Sequence, residues 1–313
     1  MKNALVIGAS GGIGYALALE LVSKEVNVVA FARRKNKLAT LFSDQDKVTI
    51  FSGDALNHEE VSLAAKGVDV IFHAISFPYE EWSEKHVACM KVIISVAKQQ
   101  QAKIALVDNI YAYGKQARVV TEDVEKKPNT KKGKIRLEME TKIKESGIPY
   151  LIVHLPDFYG PNADNTILAA TLRNVVDQKG TIFVGPMDKR REFLFTNDGA
   201  KAMVTLASSE KYYNQNWNIP SGERKTGAEI VTIIRNVNGY KKPVRSIGKS
   251  MIRFLGLFNP SMKEMVEMMY LTKEPVLLSG MKYQREVGEV PATSLEEGIS
   301  ATLRWSEERK SEQ

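Results

Sequence analysis

Gly8, Gly11 and Gly14 stand three apart in the opening stretch MKNALVIGASGGIG. An apolar, strand-forming run over residues 4–7 leads into them, and an apolar, helix-compatible run over 15–22 follows. A strand that passes through such a turn into a helix aims unpaired backbone N–H groups at one point, together with the positive end of the helix dipole. A pyrophosphate fits that point, provided glycine lets the backbone come close and the helix pack on the strand. Gly8, Ser10, Gly11, Gly12, Ile13 and Gly14 are therefore candidates for binding a dinucleotide.

The choice of dinucleotide is written after the second strand-like run, residues 26–31. A fold that prefers NAD places an acidic residue about 20 positions past the glycines, on the ribose 2′-hydroxyl. Arg34 stands there, with Arg33 beside it. Forked guanidinium groups suit a 2′-phosphate, so NADP is expected over NAD, with a solvated basic strand end as the plain alternative. After the third run, 48–51, come Asp54, Ala55 and Leu56. Asp54 is placed to accept from an adenine amino group and to cap the helix whose body begins near Glu59, and Leu56 to lie against the ring. The fourth run, 68–73, ends at Ala74, Ile75 and Ser76, where a cofactor can pass close by. His73 reads as a packing residue.

These positions need strands alternating with helices. A helix over 84–100, a fifth strand over 103–107, a helix over 134–145 stopped by Gly147, and a sixth strand over 151–155 continue the pattern. Alternation at this spacing implies right-handed crossovers and a parallel sheet, whose ligands bind at the strands' carboxyl ends. Residues 156–161 read as a proline-bounded turn and a change of domain. Further on, 191–195 is strand-like, 196–198 caps a helix reaching Ser208, and 217–219 is a short strand. The expected division is a nucleotide-binding domain over 1–155, to which 187–217 returns, and a smaller, mostly helical substrate domain from 156–186 and 218–313. Met262, Met265, Met268 and Met269 read as adaptable core, with the lining of a substrate pocket as the alternative.

The 313 residues are 43% hydrophobic and 26% charged, an ordinary globular composition. Cys89 is the single cysteine and the four histidines are scattered, so neither a disulfide framework nor a metal site is expected. The net charge of +7 is concentrated in a run of lysines, Lys126 to Lys134, with Arg136. That cluster holds no aromatic ring for base stacking, so nucleic acid is not an expected partner and a small-molecule substrate is. No run is long enough to span a membrane and no secretory signal opens the chain, so the expected location is cytoplasmic, away from membranes.

Taken in order, the pieces resemble the extended or atypical branch of the short-chain dehydrogenase/reductase superfamily, the epimerase/dehydratase-like proteins. The matching residues are GASGGIG at 8–14, Asp54, Tyr113-Gly114, DFYGP at 157–161, EFLFTNDGAKA at 192–202 and TSLEEGISATLRW at 293–305. The resemblance implies a Rossmann-type, doubly wound parallel sheet binding NADP or NAD, a small C-terminal substrate domain, and a homodimer formed through the helices after the fourth and fifth strands. It also places Pro156 at the cofactor. Typical members carry Ser or Thr near the end of the fifth strand and Tyr-x-x-x-Lys on the next helix. Here the first position falls on Asn109 and the pair on Lys132 and Arg136.

Three functions follow from that departure. In the first, an oxidoreductase acts on a small carbonyl or sugar-like substrate with substitute residues. Arg136 holds the ribose, Asn109 binds a substrate oxygen, and the proton donor is Lys132, surrounded by cationic neighbours, or a tyrosine, Tyr113 before Tyr111. In the second, the protein is a non-catalytic NADP(H)-binding redox sensor. In the third, it is an epimerase or dehydratase that uses the cofactor transiently.

Overall fold

A computed structural model of the chain describes residues 1–311. The first half alternates strand and helix: β1 (Asn3–Ile7), α1 (Gly12–Ser23), β2 (Asn27–Ala32), α2 (Lys35–Leu41), β3 (Val48–Ser52), α3 (His58–Ala64), β4 (Val70–His73), α4 (Trp82–Gln100), β5 (Lys103–Asn109), α5 (Lys131–Lys144) and β6 (Tyr150–Leu155). Then come β7 (Asp157–Tyr159), α6 (Ile167–Leu172), β8 (Thr181–Val184), β9 (Arg191–Phe195), α7 (Thr196–Ala207) and β10 (Gln215–Asn218). The chain ends with β11 (Arg224–Lys225), α8 (Gly227–Asn238), β12 (Val244–Ile247), α9 (Lys249–Leu255), α10 (Pro260–Met265), α11 (Met281–Glu286) and α12 (Leu295–Ser311).

Seven strands form one parallel sheet in the order β3-β2-β1-β4-β5-β6-β10. Its strands are apolar on both faces, as a parallel sheet covered by crossover helices requires. Ala4 and Val6 enter the cluster shared with α1 and α7, while Leu5 and Ile7 enter the one shared with α3, α4 and α5. The order reverses between β1 and β4, and a crevice opens at the carboxyl ends there. β11, β9 and β7 make a second small sheet, and β8 pairs with β12. A separate apolar cluster joins them to α8 and α12.

Four local expectations are corrected. Residues 156–161 do not form only a turn. Asp157, Phe158 and Tyr159 pair in parallel with Phe193, Leu194 and Phe195, and Asp157 accepts from Arg191 Nη2 at 2.8 Å. Both flanking prolines lie outside the paired residues, where their missing N–H costs nothing. Helix α5 starts at Lys131, before the expected Lys134, because Thr130 Oγ1 accepts from Gly133 N at 3.1 Å. Residues 196–198 do not cap α7, whose first residue is already Thr196 and whose N-cap, Phe195, makes no side-chain bond. Asp198 instead accepts from the backbone N–H and hydroxyl of Thr293, at 2.6 and 2.9 Å. Asp54 does not cap α3; Asn57 Oδ1 does, accepting from Glu59 N and Glu60 N.

Asp198 is buried, so its two charge-assisted bonds fasten the segment before α12 to the sheet domain. Asp198→Ala should cost about 3 kcal/mol of stability. A urea midpoint unchanged from the parent would show that the tether carries no load.

Candidate active site

The glycine turn separates the glycines the protein needs for itself from the one it leaves open. Gly8 has φ +93°, and a side chain there would meet the Ala74 carbonyl and Ile75 N at 2.8 Å. A side chain at Gly14 would come within 2.2 Å of the Gly8 carbonyl oxygen, and one at Gly12 within 2.5 Å of Ala163 Cβ. Asn162 Nδ2 donates to the Ser10 carbonyl at 3.1 Å, holding the same loop over the turn. At Gly11 a side chain would touch only the Gly8 oxygen, at 3.5 Å. Gly11 is also the N-cap of α1, with no side-chain cap and no acid in the first turn, so the N–H groups of Gly12, Ile13 and Gly14 are left for an anion. The turn fits a pyrophosphate, with the space at Gly11.

Arg33 and Arg34 are exposed at the carboxyl end of β2, and Ser52 Oγ donates to the Arg33 carbonyl at 3.0 Å. Arg34 is the N-cap of α2, whose first turn has no acid. Among the described residues, no carboxylate pairs with either guanidinium. Asp54 is exposed, and its Oδ1 accepts from Leu56 N at 3.0 Å, which shapes the loop beside buried Ala55. Pro156 is buried at the end of β6.

The segment after β4, the last residue of β5 and the turn that follows it carry three polar side chains, Tyr79, Asn109 and Tyr111. Asn109 Oδ1 accepts from Tyr111 N at 2.9 Å and caps the 3-10 turn Ile110–Tyr113, leaving Nδ2 as a donor. The Tyr111 hydroxyl meets the Tyr79 hydroxyl at 2.8 Å. Burial pushes both phenols up, Tyr79 to about 12, so both stay protonated at neutral pH. Tyr113 has no exposed surface. Its hydroxyl donates to Asn218 Oδ1 at 2.8 Å and lies 3.4 Å from His154 Nδ1. The donor's place expected for Tyr113 does not fit this burial: its turn points it into the core rather than the crevice.

Lys132 and Arg136 lie one turn apart on α5, both buried. The Lys132 ammonium meets Glu264 at 2.7 Å and Glu267 at 2.9 Å and lies over the Tyr79 ring, 5.1 Å from its centre. The cationic surroundings expected for it are corrected, because a segment more than a hundred residues away supplies two carboxylates. Glu267 also accepts from Lys131 N and Lys132 N at the start of α5. Burial would raise the Glu267 carboxyl, but the ammonium and these N–H bonds outweigh it and hold it low. Arg136 stacks on Trp82 at 5.0 Å, with Nε 3.5 Å from Asp108 Oδ1. Its Nε and Nη1 are buried without a hydrogen-bond partner, the mark of a donor that expects a ligand. His73 is buried, and burial with the nearby Arg136 charge lowers its pKa to about 3, so it packs as a neutral ring.

Beneath these groups Asp108, Glu140 and His154 bring ligand atoms within 4.8 Å of one another. The Lys126 ammonium sits among them, donating to Glu140 and, at 2.8 Å, to His154 Nε2. A lysine thus fills the place a metal cation would take.

Residues 4–219 match the NAD dependent epimerase/dehydratase family. The chain belongs to that family. An uncharacterised UDP-glucose epimerase of Bacillus subtilis is 23% identical over 262 residues, covering 76% of this chain and 82% of the relative. The fold is also that of dTDP-glucose 4,6-dehydratase from Bacillus anthracis in complex with NAD, at TM-score 0.81 and 17% identity over 99% of this chain and 98% of the other. The UDP-glucuronic acid 4-epimerase of Bacillus cereus in complex with NAD is similar at TM-score 0.80 and 16% identity, covering 98% and 99%. This epimerase/dehydratase family member is therefore an NAD(P)-dependent enzyme in type, built on a Rossmann-like sheet.

Tyr79, Trp82, Glu264 and Glu267 of this family member were not expected at the site from the sequence. Tyr79 and Trp82 had a signal, since an aromatic pair follows directly on the strand end at 73. The two glutamates had none, because nothing in the chain ties them to Lys132.

Gly11→Val should retain the parent's melting temperature and lose dinucleotide binding, because its side chain enters only the ligand's space. Gly14→Val should unfold, because it enters the Gly8 carbonyl. Calorimetric titration and thermal melting read both, and dinucleotide binding that survives Gly11→Val would remove the pyrophosphate from this turn.

Proposed function

We propose that this chain is an NADP(H)-dependent oxidoreductase of the epimerase/dehydratase type, acting at a carbonyl or carbinol carbon of a small or sugar-like substrate, with Tyr111 as proton donor. The observation that carries the reading is the Tyr111–Tyr79 hydroxyl pair at 2.8 Å, beside the free amide donor of Asn109 at the end of β5. A dinucleotide bound at the glycine turn would supply the hydride that converts the carbonyl to an alkoxide. Asn109 Nδ2 binds the reacting oxygen, and Tyr111 donates its proton to the alkoxide that forms, with the Tyr79 hydroxyl orienting it. Burial raises both phenol pKa values, so each hydroxyl carries its proton at neutral pH and an alkoxide, a far stronger base, can take it. Arg136 holds the ribose through Nη1, which is buried without a hydrogen-bond partner. Lys132 positions residues 260–272 over the site through Glu264 and Glu267 and is not the donor.

The unpaired Arg33 and Arg34 support NADP over NAD. The names of the relatives support a sugar nucleotide as the substrate. A cavity of about 300 Å³ in the C-terminal part is lined by Ser246, Tyr270, Thr272, Lys273 and Glu274 among others, a mixed polar lining that can take hydroxyl groups of such a molecule.

Arg34→Ala should weaken NADPH binding about tenfold and leave NADH binding nearly unchanged. Equal weakening of both in fluorescence titrations would take the 2′-phosphate away from this residue. Tyr111→Phe should lower kcat about 10²–10⁴-fold with unchanged NADPH affinity, whereas Tyr113→Phe should lower stability and spare kcat. Steady-state oxidation of NADPH with a panel of carbonyl compounds, including nucleotide-linked 4-ketosugars, measures this. Full turnover by Tyr111→Phe would return the donor role to Lys132.

A further inference from the structure

Among the described residues, five of the eight large apolar side chains left exposed fall within eight positions of one another, at Met251, Phe254, Leu255, Leu257 and Phe258. Leu257 is 73% and Phe258 79% exposed. They are carried by α9 and the turn after it, which Ile252 anchors inward against Val184 and Met269. The Phe254 and Phe258 rings pack edge to face at 5.8 Å, and Met251 stands three positions before Phe254 and four before Leu255 on the same helix, so the group forms a ridge along α9 and its turn. Isolated exposed apolar residues need no explanation, but a continuous group of this size marks a contact surface.

The charge around the ridge selects the partner. From residue 230 to residue 263 the chain has no aspartate or glutamate. Over the same span it carries Lys241, Lys242, Arg245, Lys249, Arg253 and Lys263, all exposed. None of these six is ion-paired among the described residues, whereas basic residues elsewhere on the surface commonly are. Their elements adjoin: β12 runs directly into α9, and Gly256 packs against the backbone of Lys263.

We propose that residues 249–258 dock on an anionic lipid surface, the ridge entering the headgroup region and the surrounding cations facing lipid phosphates and carboxylates. An amphipathic element with an apolar edge and a basic rim binds such a surface by the sum of both terms, and neither alone suffices. A second copy of the chain is disfavoured as the occupant, because a symmetric contact would set these unpaired cations against themselves. No helix among the described residues is long and apolar enough to cross a membrane. The expectation of no membrane partner rested on spanning segments and does not reach a peripheral contact of this kind. The docking ridge leads directly into residues 260–272, which cover Lys132, so docking sets the cover of the site beside the bilayer.

The test is co-sedimentation of the full chain with phosphatidylcholine vesicles, with and without phosphatidylserine, at low and high salt. The expected result is binding to the anionic vesicles about tenfold above the neutral ones, reduced by salt. Leu257→Glu/Phe258→Glu should abolish it, and Lys241→Glu/Arg245→Glu should weaken it about tenfold. Both variants should keep the parent's melting temperature and NADPH affinity, which separates a failure here from a failure of the proposed enzyme function. Absence of sedimentation with anionic vesicles, or equal binding to both kinds, would overturn the proposal. So would size-exclusion chromatography showing a parent dimer that Leu257→Glu/Phe258→Glu converts to monomer, since the ridge would then be a protein interface.

Discussion

The carbonyl oxygen of Gly8 lies where a side chain at position 14 would have to begin, 2.2 Å from the ideal Cβ. That contact sets how closely α1 packs on the turn leaving β1, and through it where the first N–H groups of α1 point. The position of Gly8 is set in turn by the end of β4, since a side chain there would enter the Ala74–Ile75 backbone. β1, α1 and β4 therefore meet with no side chain between them, at the place where the strand order reverses. Everything assigned to the cofactor depends on this meeting, because an N–H cradle has value only if nothing else fills it.

The second constraint is charge buried beside the crevice. Glu140 is held by Lys126, Lys144 and His154, and Asp108 by Arg136, with Lys126 coming from the loop between β5 and α5. Buried ionic groups of this kind are costly to break and weak as a source of net stability, so their main effect is positional. They fix the underside of α5 and of the turn Ile110–Tyr113. Arg136 and Tyr111 extend from those two elements onto Trp82 and Tyr79. Tyr113 spends its hydroxyl on Asn218 in this layer, whereas Tyr111, two residues earlier, meets the Tyr79 hydroxyl instead.

The third element is the cover. Glu264 and Glu267 hold Lys132, Glu267 also satisfies N–H groups at the start of α5, and Ser261 donates to Glu80 at 2.6 Å. Residues 260–272 are thus fastened to the sheet domain by polar contacts at their edge and by Met268 and Leu271 in an apolar cluster with Ile110 and Tyr113. Met269 packs instead against Val184 and Ile252 under the exposed ridge. One segment accordingly links the candidate site to the outer face of the C-terminal part.

The sequence alone determined the sheet, the glycine turn and the arginine pair, because each is written in local patterns: two-faced apolar strands, glycine at fixed spacing, and charge at one strand end. It also determined that the usual tyrosine and lysine are missing from α5. What it did not contain was the company those positions keep. Whether Lys132 faces cations or carboxylates depends on a segment more than a hundred residues away, and whether Tyr111 or Tyr113 faces the crevice depends on a single turn of 3-10 helix capped by Asn109. Asp198 shows the same limit, since it has the residue type of a helix cap and a tertiary contact assigned it to Thr293. Local propensity names what a residue can bond; only the packing of distant elements decides which bond is nearest.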